Sequence, residues 1–147
     1  MTCSFFASDY HFEIISLPFI REKLDEDKKI VILTESDLEE TITLLLSKIN
    51  ISESEKEKIL NINWGKEYAS KLKKLEKKEE KEFVVFVKGS EKYIREMNEE
   101  IGKITNKKNL QIIDCYDITE LKDRANQVLV QYDNILNTAG KSSIDKK

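Results

Sequence analysis

Short apolar runs alternate along the chain with segments in which apolar residues recur every three to four positions. The runs KIVILT, beginning at Lys29, and FVVFVK, beginning at Phe83, are apolar on both faces, as in the buried central strands of a parallel sheet. A third run, LQIIDC, begins at Leu110, and two further candidates are weaker. The pattern predicts five strands, over residues 11–15, 29–34, 59–64, 83–88 and 110–115.

The segments between these runs have the apolar period of helices. Ser90 and Asp117 stand where the side chains of helix N-caps are expected, and Pro18 fits the first turn of a short helix. The pattern predicts helices over residues 16–23, 38–49, 94–104 and 121–136. Strands that are separated by helices cannot pair as tight hairpins. We therefore expect a three-layer α/β sandwich, with a mostly parallel five-stranded sheet and helices on both faces.

The length of 147 residues fits one domain, which we place at residues 1–139, followed by a disordered tail over residues 140–147. One internal stretch, residues 66–82, is dominated by lysine and glutamate around a thin apolar stripe of Tyr68, Leu72 and Leu75. This composition is typical of a solvated helix. A lysine patch that contacts phosphate is the alternative, and it would need lysines that stand clear of the glutamates.

The charges are nearly balanced, with 25 Lys and Arg against 28 Asp and Glu. A dedicated nucleic-acid binder would carry a basic excess. Cys3 and Cys115 are the only cysteines, the first residues lack the pattern of a signal peptide, and no apolar stretch is long enough to span a bilayer. These features predict a soluble cytoplasmic protein that contacts neither nucleic acid nor membrane directly.

Motifs for catalysis or metal binding are weak. The tripeptide Gly140-Lys141-Ser142 resembles the end of a phosphate-binding loop, but position 135 is Ile where that loop needs Gly. One His and two distant Cys provide no metal-ligand spacing. We therefore expect no nucleotide hydrolysis, no cofactor and no metal.

Ligands of open parallel sheets bind beyond the carboxyl ends of the strands. In this chain those ends carry hydroxyls, two aromatic residues and few charges, which suits a small, moderately apolar ligand. The candidate ligand-binding residues are His11, Thr34, Glu35, Ser36, Trp64, Cys115 and Tyr116. Two alternatives stay open. One is a small enzyme or unconventional nucleotide binder, with His11 as base for Cys115; the other is a subunit that acts through protein contacts.

Several segments resemble the MEDS domain, the methanogen and methylotroph sensory domain. Asp9-Tyr10-His11-Phe12, followed by FIREKL and KIVIL, resembles its opening. Ile113-Asp114-Cys115-Tyr116-Asp117-Ile118 is similar to a family strand that ends in Cys-Tyr-Asp, and VLVQYDNIL followed by Gly140 is similar to the closing helix. The chain departs from the family at Tyr132-Asp133, where His-Pro is usual. Gly89-Ser90-Glu91 resembles a middle motif of the family only loosely, and the family's tryptophan after the middle glycine is absent.

This resemblance implies a RecA- or KaiC-like fold that has lost its nucleotide-hydrolysing loop and serves as a sensor. The expected function is non-enzymatic sensing of a small molecule, in signal transduction or transcriptional control. No DNA-binding helix-turn-helix is visible, so the signal is expected to pass through a protein partner or a homo-oligomer.

Overall fold

A computed structural model of the chain describes residues 1–77, 81–104 and 109–145. Its strands are β1 (Thr2–Phe6), β2 (Lys29–Thr34), β3 (Phe83–Gly89), β4 (Leu110–Asp117), β5 (Asn134–Asn137) and β6 (Gly140–Ser143). They form one six-stranded sheet in the order β2-β3-β4-β1-β5-β6. Strands β1 to β5 pair in parallel and β6 runs antiparallel to β5. The sheet is therefore mostly parallel, with one strand more than the sequence predicts.

Helices cover both faces of the sheet. They are α1 (Asp9–Asp25), α2 (Glu39–Lys48), α3 (Glu53–Leu60), α4 (Ala69–Glu76), α5 (Glu91–Gly102), α6 (Ile118–Leu121) and α7 (Ala125–Leu129), with a 3₁₀ segment over Lys122–Arg124. One buried cluster joins α1, α2 and α3 to the first face of the sheet, and a second joins α4 to α7 to the other face. Within the described ranges, none of these helices combines the length and the apolar character that crossing a membrane would need.

Strand β3 shows why the central strands were predictable. Every one of its residues is buried. Val84 and Phe86 pack into the cluster around α1, whereas Val85 and Val87 pack into the cluster around α5. Because both faces are covered, the strand is apolar without alternation. The predictions of β2, β3 and β4, and of helices at α2 and α5, are confirmed.

The predicted strand over residues 11–15 is wrong, because these residues lie in α1. Glu13 and Ser16 are buried in that helix beside Phe12 and Ile15. Because polar residues occupy part of the buried face, they interrupt the three- to four-residue recurrence of apolar residues by which a helix is recognised in a sequence. Pro18, expected in a first turn, lies inside α1.

The predicted strand over residues 59–64 is also wrong, since it covers the end of α3 and the loop after it. The predicted helix over residues 121–136 ends early. Lys122 has a φ of 56°, which interrupts the helix after α6, and the segment continues into β5.

The prediction of a disordered tail over residues 140–147 is wrong for residues 140–143, because these form β6. Gly140 has a φ of 104°, a conformation that side-chain-bearing residues rarely adopt. It allows the chain to turn back from β5 and pair with it. Residues 146 and 147 lie outside the described ranges.

Candidate functional site

A small cavity lies at the carboxyl edge of the sheet, where β1, β2, β3 and β4 end. Its volume is about 140 Å³, and it is lined by Phe6, Asp9, Glu35, Ser36, Lys88, Gly89 and Asp117. This edge is the usual position of ligand sites in open parallel sheets.

The side chain of Lys88 is the central charge of the cavity. Only 3% of that side chain is exposed, and its Nζ lies 2.8 Å from Oδ1 of Asp9. The same Nζ donates a hydrogen bond to Ser36 Oγ at 3.0 Å. It also lies over the ring of Phe6, 4.5 Å from the centroid, where the ring face attracts a cation. Each of these contacts offsets part of the desolvation cost of a buried ammonium.

Helix α1 brings Asp9 into the cavity. Ser8 is the N-cap and accepts a hydrogen bond from the backbone N–H of His11, so Asp9 lies in the first turn. A carboxylate is favoured there because the helix dipole is positive at that end. Ser36 Oγ lies 3.2 Å from Asp9 Oδ1, so its hydroxyl donates to Asp9 while it accepts from Lys88.

Glu35 and Thr34 fix the ends of β2 and β3. Glu35 Oε1 accepts a hydrogen bond from the backbone N–H of Ser90 at 2.9 Å, just before α5. A Cβ at Gly89 would lie 2.8 Å from the same Glu35 oxygen, so the close approach of the two strand ends requires glycine. Thr34 is buried and donates from Oγ1 to the carbonyl of Ser36 at 2.7 Å. The hydrogen bond between Glu35 and Ser90 holds together the two strand ends that form the wall of the cavity.

The predicted site residues divide into two groups. The structure brings Thr34, Glu35 and Ser36 together at the cavity, with Thr34 behind its wall. His11 follows the cavity residue Asp9 by two positions on α1 and does not line the cavity, and its Nδ1 accepts a hydrogen bond from the backbone N–H of Ala7 at 2.9 Å. This contact ties down the connection between β1 and α1.

Trp64 does not lie at a strand end. It is 2% exposed, and its Nε1 donates a hydrogen bond to the carbonyl of Ile59 at 2.8 Å. Trp64, a candidate ligand-binding residue from the sequence, therefore does not line the cavity at the carboxyl edge. The indole instead packs into the core between the sheet and α1 to α3.

Tyr116 belongs to a buried polar network beneath α5 and α7. Its hydroxyl lies 2.5 Å from the hydroxyl of Tyr132, which donates to Oδ2 of Asp114 at 2.7 Å. Asn98 donates to the other carboxylate oxygen of Asp114 at 3.0 Å. Burial raises the pKa of the Asp114 carboxyl above its usual range and that of Tyr116 to about 12. These contacts give Tyr116 a structural role.

Cys115 is 1% exposed in the opposite cluster, and burial raises its thiol pKa well above the usual value. Burial also raises the pKa of Cys3 to about 11. A nucleophilic cysteine needs an accessible thiolate, which neither site provides. A catalytic pair of His11 and Cys115 therefore has no support in this geometry.

Sequence reasoning missed Asp9 and Lys88, the ion pair of the cavity. Lys88 is a lysine at the end of an otherwise apolar buried strand, directly before Gly89-Ser90. That position is the signal that could have identified it, because a lysine in such a strand end is buried only when it is paired. Asp9 was not identified as a site residue, because residues 11–15 were predicted as a strand and the first turn of α1 was therefore missed.

Neither a family model, nor a curated protein, nor a solved structure was found to match the chain. Its function is therefore inferred from the geometry of the site.

Proposed function

We propose that this chain is a non-enzymatic binding domain that senses a small polar molecule at the carboxyl edge of its sheet and passes the signal to a protein partner. The observation that carries the proposal is the buried ammonium of Lys88 on the wall of the cavity. Buried charges that converge on a cleft are expected at functional sites, because burying them costs stability.

The charges of the cavity select the class of ligand. Three carboxylates, from Asp9, Glu35 and Asp117, line it together with the single ammonium of Lys88. The net charge is negative, so a small amine, alcohol or amide is favoured over a phosphate. A volume of about 140 Å³ admits a molecule of only a few heavy atoms, since sites for drug-sized ligands span roughly 300–1,000 Å³.

We further propose a RecA- or KaiC-like architecture without the nucleotide-hydrolysing loop, as the MEDS resemblance implies. Support comes from the connection between β1 and α1. Strand β1 lies inside the sheet between β4 and β5, and only Ala7 and Ser8 separate it from the helix. A phosphate-binding loop of about eight residues cannot be accommodated in that connection.

Two exposed apolar side chains indicate where a partner would contact the domain. Tyr10 is 56% exposed and Ile118 is 40% exposed. Each directly follows a residue that lines the cavity, Asp9 or Asp117. A ligand in the cavity would thus lie next to a surface with apolar anchors, which are typical of protein interfaces.

The test is an NMR titration of the ¹⁵N-labelled protein with ethanolamine, acetamide, dichloromethane and acetate. We expect a cationic or neutral probe to shift the backbone amides of Ser36, Gly89 and Ser90, and acetate to have no effect. Ser36→Ala should abolish the shifts, and Lys88→Met should change them, because it removes the one ammonium among the lining residues. Lys92→Met is the matched control, because Lys92 lies on the neighbouring helix with a side chain 78% exposed.

Three results would contradict the proposal. One is an absence of shifts with every probe at millimolar concentration. Another is a set of shifts that Lys88→Met leaves unchanged. The third is magnesium-dependent ATP binding in the micromolar range with turnover, which would favour an enzyme.

A further inference from the structure

A second and larger cavity lies at the outer edge of β2, away from the first. Its volume is about 350 Å³. The end of α1, the loop after α3 and helix α4 surround it. Among the described residues its lining includes six lysines and no acidic residue: Lys28, Lys29, Lys58, Lys71, Lys74 and Lys77. Lys28 forms ion pairs with Glu26, at 3.2 Å, and with Glu82, at 3.3 Å, so its charge is already compensated.

Lys71 is the buried member of this set. It lies on the same face of α4 as Leu75, and 3% of the residue is exposed. Its Nζ donates hydrogen bonds to the carbonyl of Ile32, at 2.6 Å, and to that of Gly65. An ammonium has three N–H donors, so one is left over after these two bonds.

No carboxylate of the described residues lies at ion-pair distance from Lys71. The nearest charges that act on it, including those of Glu67 and Asp37, do so at longer range. Burial lowers the pKa of Lys71 to about 8, which leaves the amine charged in neutral solution. A buried ammonium without an anion is costly, and a bound anion would offset that cost.

The cavity is suited to a small molecule and not to an added peptide strand. Strand β2 is an edge strand, but the carbonyl of Ile32 on its outer side already accepts a hydrogen bond from the amine of Lys71. A peptide that paired with this edge would need that carbonyl. Apolar side chains also line the cavity: Ile30 and Ile62 pack against the cluster on one face of the sheet, and Phe83 belongs to the cluster on the other face.

We propose that this cavity binds an organic phosphate, with the phosphate against Lys71 and the surrounding lysines and an apolar or aromatic body against Ile30, Ile62 and Phe83. Lysine binds phosphate as a point charge, and a phosphate monoester carries a charge of about −2 against −1 for a carboxylate, so a cluster of ammonium groups favours the phosphate. This site is separate from the one at the carboxyl edge and takes a ligand of opposite charge.

The chain offers a matched pair of variants on one helix. Lys74 lines the cavity, whereas the adjacent Lys73 does not, and both are exposed on α4. The probe is phenyl phosphate, titrated by calorimetry and by NMR at low salt. Phenol and inorganic phosphate, which represent the two halves of phenyl phosphate, are titrated separately as controls.

We expect phenyl phosphate to bind more tightly than either half and to shift the amides of Ile32, Ile62 and Lys71. The double variant Lys58→Gln/Lys74→Gln should raise the dissociation constant about tenfold, since each exposed charge pair is worth up to about fivefold. Lys73→Gln should leave it unchanged. Lys88→Met should leave it unchanged as well, which separates this site from the one proposed above.

Four outcomes would overturn the proposal. The first is an absence of localised shifts with phenyl phosphate. The second is a loss of binding in Lys73→Gln as large as in the double variant, and the third is binding of inorganic phosphate as tight as that of phenyl phosphate. The fourth is that a single-stranded oligonucleotide binds where phenyl phosphate does not, which would assign the lysines to nucleic acid. The lysines replaced by glutamine, Lys58, Lys73 and Lys74, are all exposed, so these variants leave the buried Lys71 and the core unchanged.

Discussion

The ammonium of Lys88 lies 2.8 Å from the Oδ1 atom of Asp9, a residue 79 positions earlier in the sequence. This ion pair joins the end of β3 to the first turn of α1. Helix α1 follows β1 in the chain, and β4 separates β1 from β3 in the sheet. The contact therefore fixes the position of α1 over the carboxyl edge.

Asp9→Asn is expected to destabilise the fold by about 1–2 kcal/mol, because it leaves the charge of Lys88 buried without an anion. A fully buried pair would cost about 3–5 kcal/mol. We discount that value because 37% of the Asp9 side chain is exposed. Urea unfolding measures the change. Adding Lys88→Met to Asp9→Asn should recover part of the loss, and a double variant that is strictly additive would argue against coupling.

Trp64→Ala is expected to destabilise the fold by about 3–5 kcal/mol, as truncation of a buried core aromatic does. The indole is 2% exposed and donates a hydrogen bond to Ile59. Leu60→Ala is the control. Leu60 follows Ile59 in the sequence and is 45% exposed, so its truncation should change the free energy of unfolding little. Because Trp64 is the only tryptophan, its fluorescence follows unfolding directly. A loss below about 1 kcal/mol would contradict its place in the core.

Both cysteines are expected to be inert in the native protein. Cys3 and Cys115 are buried, and burial raises the pKa of each thiol. At pH 8 a thiol-reactive chromogenic disulfide should therefore label neither until urea unfolds the chain, and then both. One equivalent of rapid labelling in the native state would show that a thiol is accessible.

The stability that Asp114 contributes is expected to fall as the pH rises. Burial raises the folded-state pKa of this carboxyl above its unfolded value of about 3.9. The folded state therefore binds the proton more tightly, and stability is lost as the pH increases through the folded pKa. Tyr132, Asn98 and Cys3 surround the group, and none of them ionises between pH 4 and 7.

Asp114→Asn isolates this effect. The difference in free energy of unfolding between the wild type and the variant should favour the wild type more at pH 4.5 than at pH 7, as measured by urea titration. An unchanged difference across that range would show that the carboxyl titrates normally.

Sequence patterns located those parts of the fold whose burial is uniform. Strand β3 and helix α5 have regular apolar patterns, because the buried residues 83–87 and the buried positions of α5 are all apolar. Helix α1 was misassigned because Glu13 and Ser16 occupy core positions. Strand β1 was missed because TCSFF is short and mixed, although four of its residues are buried. Its burial comes from strands far along the chain, which no local pattern reveals.

The candidate sites show the same limit. Thr34, Glu35 and Ser36 could be predicted because a parallel strand ends there. Lys71 was interpreted as part of a solvated helix, yet it falls on the stripe of Tyr68, Leu72 and Leu75, three residues after the first of them. A lysine on the apolar face of a helix was the signal. Its partners, the carbonyls of Ile32 and Gly65, depend on tertiary structure alone.

The position of β1 has a consequence for how the chain reaches its native state. This strand precedes the others in sequence, yet it pairs with β4 and β5. Ser4 Oγ donates to the carbonyl of Leu136, a residue 132 positions later. During synthesis the strand must wait for nearly the whole domain before it gains its neighbours, and such non-local pairing slows folding. We therefore expect the carboxyl-edge cavity, whose wall includes Phe6 at the end of β1, to form only after β4 and β5 have been synthesised.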